Sequence, residues 1–296
     1  MGGHRKTHTY RTLPDCELQA DVYESGAGSR PVVVWIHGGA LIMGSRMDIE
    51  PRRRDMYLDA GFTVVSIDYR LAPETKLPAI VEDVQAACRW VRKKGQGLFG
   101  ADPERLAVVG HSAGGYLTLM AGVAVEPKPR VLVSFYGYGD IIGPWYSQPD
   151  PFYCRQPMVP ESEAYAAVGQ DVICGTEEPA QAEQRNRFYL YCRQHGLWPK
   201  EVGGRDPDSE PEFFYPFCPI RNVTPDYPPT LLLHGDEDTD VPYQQSVMMN
   251  ESLEEFGVDH ELVTIEGGEH GFDRGRGRDV DKALERVIAF LQSRLA

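Results

Sequence analysis

Six stretches of strand length, residues 32–36, 63–67, 106–109, 131–135, 230–233 and 261–265, are rich in β-branched residues and largely apolar on successive positions. A strand with one wet face alternates polar and apolar residues, whereas an unbroken apolar run suits a strand buried on both faces of a parallel sheet. Between most of these runs the apolar period becomes helical. Residues 80–93 place Ile80, Val84, Ala87, Cys88 and Val91 on one face, and residues 281–295 do the same with Leu284, Val287, Ile288 and Leu291. Strand and helix alternating over such a length predict an α/β architecture, a mostly parallel central sheet with helices on both faces. The start differs: residues 9–12 and 17–23 read as an antiparallel pair at the sheet edge, turned at Pro14-Asp15, with His4 and His8 in a mobile lead-in.

One stretch breaks this rhythm. Residues 136–226 contain no clear strand, only loops punctuated by Pro and Gly and short helical patterns at 161–168 and 180–194. A structureless insertion of that length inside a domain is improbable, so these residues are expected to form an inserted helical cap over the carboxyl edge of the sheet. The core is then 1–135 with 227–296, and the cap is 136–226. Residues 136–227 hold 16 of the 30 aromatics, which argues for a folded unit. Most of Trp145, Tyr146, Phe188, Tyr189, Trp198, Phe213, Phe214 and Tyr215 are expected to form its interior, and a minority to line a binding cavity.

The sharpest local signal is Gly110-His111-Ser112-Ala113-Gly114-Gly115, directly after one strand and directly before an apolar helix at 116–125. Such a turn forces the serine into a strained backbone conformation, and small residues two positions on either side prevent collision. Ser112 is therefore a candidate nucleophile at a helix N-terminus, where free amides favour developing negative charge.

A serine nucleophile needs a base, and the base an orienting acid. The strand at 230–233 runs into His234-Gly235-Asp236-Glu237-Asp238-Thr239-Asp240, and the last strand runs into Gly267-Gly268-Glu269-His270. Asp236, Asp238 and Asp240 compete for the acid role. Asp236 suits the turn after the strand and Asp240 suits water or the cap, which favours Asp238. His234 reads as structural, His195 lies in the cap, and His260 opens the last strand at the surface. His270, in a glycine-flanked loop, is the candidate base. His37-Gly38-Gly39-Ala40, after the strand at 32–36, offers backbone amides: those of Gly39 and Ala40, with that of Ala113, would form an oxyanion hole.

The chain carries 30 Lys plus Arg against 44 Asp plus Glu, a net charge of −14. Nucleic-acid binding rests on a basic surface, so no nucleic acid partner is expected. Residues 136–226 hold 14 acidic and 7 basic residues, half of the deficit, which favours neutral or cationic ligands at a cap-covered mouth. No membrane span is expected, since no apolar run reaches the roughly 18 to 20 residues required. The opening residues lack the apolar stretch of a signal peptide, and the expected location is cytoplasmic. The six cysteines show no metal-site spacing and are expected to be free thiols, with a bridge among Cys154, Cys174 and Cys192 only for an exported chain.

The HGGA stretch at 37–40, Asp68-Tyr69-Arg70-Leu71-Ala72-Pro73-Glu74, Leu77-Pro78-Ala79, Asp83, the GHSAGG turn and the HGDED and EHGF loops resemble the α/β-hydrolase superfamily. Within it they are most similar to the hormone-sensitive-lipase-like carboxylesterases and small acetyl esterases. The resemblance implies an α/β-hydrolase fold, Ser112 as nucleophile, His270 as base, Asp238 as acid, and Gly39, Ala40 and Ala113 as oxyanion donors. It implies no metal and no cofactor, a small-molecule ester as substrate, and leaves a homodimer open. The chain departs from the family at Ala40, the third position of its usual HGGG, and at His111, where an acidic residue usually precedes the serine. Only residues 1–8 stand ahead of the first expected strand, so the lid falls to the insertion. Kynurenine-formamidase-like or prolyl-oligopeptidase-like amide hydrolysis remains an alternative, as does a non-catalytic ligand receptor.

Overall fold

The apolar runs lie side by side in a computed structural model of the chain, which describes residues 4–24, 26 and 28–296. β1 (His4–Thr12), β2 (Glu17–Glu24), β3 (Arg30–Ile36), β4 (Thr63–Ile67), β5 (Ala101–His111), β6 (Val131–Phe135), β7 (Thr230–Gly235) and β8 (His260–Ile265) form one sheet. Its order is β1-β2-β4-β3-β5-β6-β7-β8. β2 runs antiparallel to both β1 and β4, and every pairing from β4 through β8 is parallel. The connections carry α1 (Pro51–Asp59), α2 (Leu77–Phe99) and α3 (Ala113–Ala124). Between β6 and β7 lie α4 (Pro144–Ser147), α5 (Glu161–Ala166), α6 (Pro179–His195), α7 (Trp198–Gly203) and α8 (Pro211–Phe214), and no strand. α9 (Gln244–Glu255) and α10 (Arg278–Leu295) complete the chain.

Period-two geometry splits each strand between two core layers. Val33, Trp35, Val64, Val109 and Val133 pack with Tyr57 of α1 and Leu284, Val287 and Leu291 of α10. Val32, Val34, Ile36, Val65, Val108 and Leu132 pack with Ile80 and Val84 of α2, Leu117 of α3 and Leu253 of α9. Both faces of the sheet are thus covered, which is why its strands are apolar at consecutive positions. The second layer continues without a break into Tyr138, Tyr146, Phe188, Trp198 and Phe214, so the β6–β7 insertion shares that core. Among the described residues, no helix is long and apolar enough to cross a membrane.

Two expectations are corrected. The lead-in is ordered from His4 onward, because His4–Thr12 is the sheet's edge strand, and the His8 ring packs near Trp90 and Phe99 with centroids 5.8 and 6.1 Å away. Residues 1–3 lie outside the described residues. The cysteines are not all free: Cys16, just before β2, is bridged to Cys174, while Cys154, Cys192, Cys88 and Cys218 are thiols. Cys174 reaches the sheet edge because residues 171–178 fold back along the core, where the Leu71 amide donates to Ile173 O at 2.7 Å and the Thr176 amide to Gly44 O at 2.9 Å. The partners stand 158 residues apart, a relation created by tertiary folding that spacing does not encode.

Candidate active site

β5 ends at His111, α3 begins at Ala113, and Ser112 between them sits at φ 55°, ψ −123°. That left-handed, strained geometry is the sharp turn the motif requires. A Cβ on Gly110 would come within 2.3 Å of Gly114 O, and one on Gly114 within 2.1 Å of Ile36 O, so both positions admit only glycine. The turn is tied down by the Ser112 amide donating to Phe135 O at 2.9 Å and the Tyr116 amide donating to Ser112 O at 2.9 Å.

The loop after β8 brings His270 to this serine, with Nε2 3.1 Å from Ser112 Oγ. On its other side, Nδ1 lies 2.7 Å from Asp238 Oδ2. Asp238 Oδ1 accepts the amides of Asp240 at 2.8 Å and Val241 at 2.9 Å, which fixes the carboxylate plane. Its Oδ2 is also 3.2 Å from Nε2 of the buried His234, whose Nδ1 meets Ser246 Oγ at 2.7 Å. Burial alone would raise the Asp238 pKa, but the bonds from His234 and His270 outweigh it and hold the carboxyl well below the usual carboxylate range. Burial opposes charge on His270, yet Asp240 and Asp238 together outweigh it, and its pKa is raised above 6.5. Asp236 serves the turn, accepting the Gly267 amide at 2.7 Å. Asp240 faces the insertion and also approaches His270 Nε2, at 3.4 Å.

Gly39 and Ala40 line the same cavity as Ser112 and His270, and Ala113 opens α3 directly behind the serine. Ala40 and Leu41 hold φ of 55° and 63°, unusual for residues with a side chain, so this loop needs external bracing. Trp198 Nε1 donates to Ala40 O at 2.8 Å, the Ala72 amide to Leu41 O at 2.8 Å, and Arg185 Nε to Ile42 O at 2.6 Å. The DYRLAPE stretch supplies further braces. Asp68 accepts the Arg46 amide and guanidinium, both at 2.7 Å, Arg70 pairs with Asp83 at 2.7 Å, and Glu74 pairs with Arg185 at 2.7 Å. Tyr69 stacks on His37 with ring centroids 4.2 Å apart. These residues act by holding the glycine loop in place beneath the cavity.

His111, the departure before the serine, is buried, its ring 5.0 Å from that of Trp35. Burial, with Arg53 nearby, pushes its pKa well below 6.5, so it fills the underside of the turn as a neutral ring. Sequence reasoning missed Tyr136, at φ 37° directly after β6. Its ring meets His270 edge-on at 4.6 Å, and its hydroxyl donates at 2.7 Å to Asp273, which is ion-paired with the buried Arg53. An aromatic at the carboxyl end of a strand beside the serine turn was the available signal.

The cavity over Ser112 has a volume of about 560 Å³. Glu177, Asn186 and Tyr189 from the insertion form one wall, and Asp48, Asp240 and Arg274 add charge. Of the eight aromatics singled out above, Tyr189 lines it, whereas Tyr146 stacks between Trp145 and Trp198 at 3.8 and 4.0 Å in the insertion's interior.

A family model described as alpha/beta hydrolase fold matches residues 33–274, four-fifths of the chain. The chain belongs to the α/β-hydrolase family. Within that family it falls in the hormone-sensitive-lipase-like carboxylesterase group. It is 29% identical to the non-reducing polyketide synthase ausA of Aspergillus calidoustus over 98% of its own length, and 27% identical to the non-reducing polyketide synthase stbA of Stachybotrys bisbyi over 90%. The chain spans about 14% of the length of each of these curated relatives. Among solved structures, the carboxylesterase EstE1 from a metagenomic library shares this α/β-hydrolase fold with a TM-score of 0.73 and 24% identity, covering all of this chain and 90% of that one. A Staphylococcus aureus protein of unknown function matches with a TM-score of 0.79 and 22% identity, covering 98% of this chain and 100% of that one. A butyrate-bound esterase of Thermogutta terrifontis matches at 0.67 and 21%, covering 99% and 94%.

Proposed function

We propose that this α/β-hydrolase is a serine carboxylic-ester hydrolase acting on small or medium acyl esters through an acyl-serine intermediate. The observation that carries the reading is the line of contacts from Ser112 Oγ to His270 Nε2 at 3.1 Å and from His270 Nδ1 to Asp238 at 2.7 Å, beginning at a strained serine turn.

In the first half-reaction Ser112 Oγ bonds to the ester carbonyl carbon while its proton passes to His270 Nε2. The carbonyl oxygen gains the displaced electron pair and is met by the amides of Gly39, Ala40 and Ala113. Asp238 holds His270 as the tautomer protonated at Nδ1 and stabilises the imidazolium that forms. The carbonyl then re-forms, the alkoxide leaves, and His270 returns the proton to it. Water, deprotonated by His270, attacks the acyl-serine in the same manner and releases the acid and Ser112. The insertion acts as a lid whose wall, with Tyr189, bounds the substrate.

The test is hydrolysis of p-nitrophenyl acetate and butyrate by the wild type and by Ser112→Ala. Turnover by the wild type and its loss in the variant are expected, and equal rates would reject the reading. The likeness to polyketide synthases favours a second reading, in which the same serine takes a polyketide acyl group as an ester or thioester. Comparing matched oxygen esters, thioesters and formylkynurenine as substrates separates these readings from amide hydrolysis.

A further inference from the structure

Asp240 approaches His270 from the reactive side. Its Oδ2 lies 3.4 Å from His270 Nε2, the nitrogen that meets Ser112 Oγ at 3.1 Å. Its Oδ1 is fully engaged elsewhere, accepting Tyr153 Oη at 2.8 Å, Tyr189 Oη at 2.5 Å and Arg193 Nη1 at 2.7 Å, all from the insertion. Arg193 is 1% exposed, also pairs with Asp150 at 2.5 Å, and donates to the Asp240 backbone oxygen at 3.0 Å. Its guanidinium lies 4.6 to 5.7 Å from the rings of Tyr153, Tyr146, Trp145 and Tyr189. One oxygen of Asp240 is thus fastened to a rigid aromatic cluster, and the other is aimed at the histidine.

The two protonation states of His270 respond oppositely to that oxygen. Neutral His270, protonated at Nδ1, offers Nε2 as a lone pair to the Ser112 hydroxyl, and a carboxylate beside a lone pair gains nothing. The imidazolium has an N–H there, for which Oδ2 is an acceptor of opposite charge. We infer that Asp240 is a positioning residue through which the insertion sets the pH at which His270 can serve as a base, an inference that rests on the serine-hydrolase reading above. The groups facing His270 are Ser112 and His111 from the β5 turn, Tyr136 after β6, Asp238 and Asp240 after β7, Tyr189 from α6 and Arg274 beyond its own loop. Of these, the two aspartates favour its charge and Arg274 opposes it. Asp238 contacts Nδ1 in both protonation states, whereas Asp240 discriminates between them at Nε2.

The test is the pH dependence of Ser112 labelling by a fluorophosphonate, together with kcat/KM for p-nitrophenyl butyrate, across about pH 5 to 8, where histidine titrates. Asp240→Asn keeps the shape and an acceptor for the two tyrosines but removes the charge. It is expected to move the midpoint of the acid limb down by about one pH unit, and Asp240→Glu to move it back. Tyr189→Phe, which keeps the carboxylate but removes one of its donors, is expected to shift the midpoint upward. Loss of rate with an unmoved midpoint in Asp240→Asn, or a downward shift in Tyr189→Phe, would overturn the inference while leaving the serine-hydrolase reading intact. A wild type that is not labelled at any pH would overturn both.

Discussion

Arg185 and Glu74 form an ion pair at 2.7 Å with side chains 2% and 1% exposed, joining α6 of the insertion to the DYRLAPE loop. Arg185 also donates to Ile42 O at 2.6 Å and Ala72 O at 2.6 Å, so it satisfies two backbone carbonyls as well as the carboxylate. Removing one partner of such a pair leaves a buried charge uncompensated, and Arg185→Met is expected to cost about 3–5 kcal/mol in denaturant unfolding. Burial would raise the Glu74 pKa, but Arg185 outweighs it and holds it below 4.5. The sign follows: this contribution is complete above the unfolded value and is lost as pH falls through the depressed folded value. Glu74→Gln should flatten the acid limb of the stability profile, which unfolding measured at a series of pH values would check.

The Cys16–Cys174 bridge fastens the segment that carries Thr176 and Glu177 into the cavity wall. Cross-links closing long loops restrict the unfolded chain most, and a typical gain is about 2–4 kcal/mol. Cys16→Ser with Cys174→Ser is expected to lower stability by that amount. Reductant should lower the wild-type melting temperature and leave the double variant unaffected.

Asp238→Asn keeps the volume of the side chain but turns a pure acceptor into a group that can present a donor to His270 Nδ1. With the tautomer disfavoured and the imidazolium unsupported, kcat is expected to fall by about 10³- to 10⁴-fold. In the wild type, kcat/KM should rise with pH along a limb whose midpoint lies above 6.5, because the His270 pKa is raised. A pH profile of both proteins measures each effect.

Asp48, Glu177 and Asp240 line the cavity with Arg274 as their counterpart, beneath an insertion that carries half of the net charge. For esters matched in size, kcat/KM is expected to favour the cationic over the anionic substrate by roughly tenfold at low salt. The preference should shrink as ionic strength rises. Paired assays at two salt concentrations decide it.

The sheet was legible because strands buried on both faces leave unbroken apolar runs, and the serine turn because glycines forced by steric contact leave a fixed spacing. The placement of His270 and Asp238 beside Ser112 could be anticipated from chain order and family likeness, since each follows a strand whose carboxyl end lies on the same edge of the sheet as the serine turn. What stayed hidden depends on tertiary contact. Arg46, Arg53, Arg185 and Arg193 are all nearly buried in ion pairs, yet an arginine in a polar stretch reads as a surface charge. Cys16 carries no mark of Cys174, and Asp240, read as facing water or the insertion, also turns one oxygen to His270.

The most direct test of the central claim is whether Ser112 is the nucleophile that a fluorophosphonate phosphonylates. Intact-mass measurement after fluorophosphonate treatment, with peptide mapping, should show one adduct per chain at Ser112 and none on Ser112→Ala. The same variant should lose p-nitrophenyl butyrate hydrolysis by at least about 10⁴-fold. An unlabelled wild type, or a Ser112→Ala variant hydrolysing the ester at the wild-type rate, would contradict it.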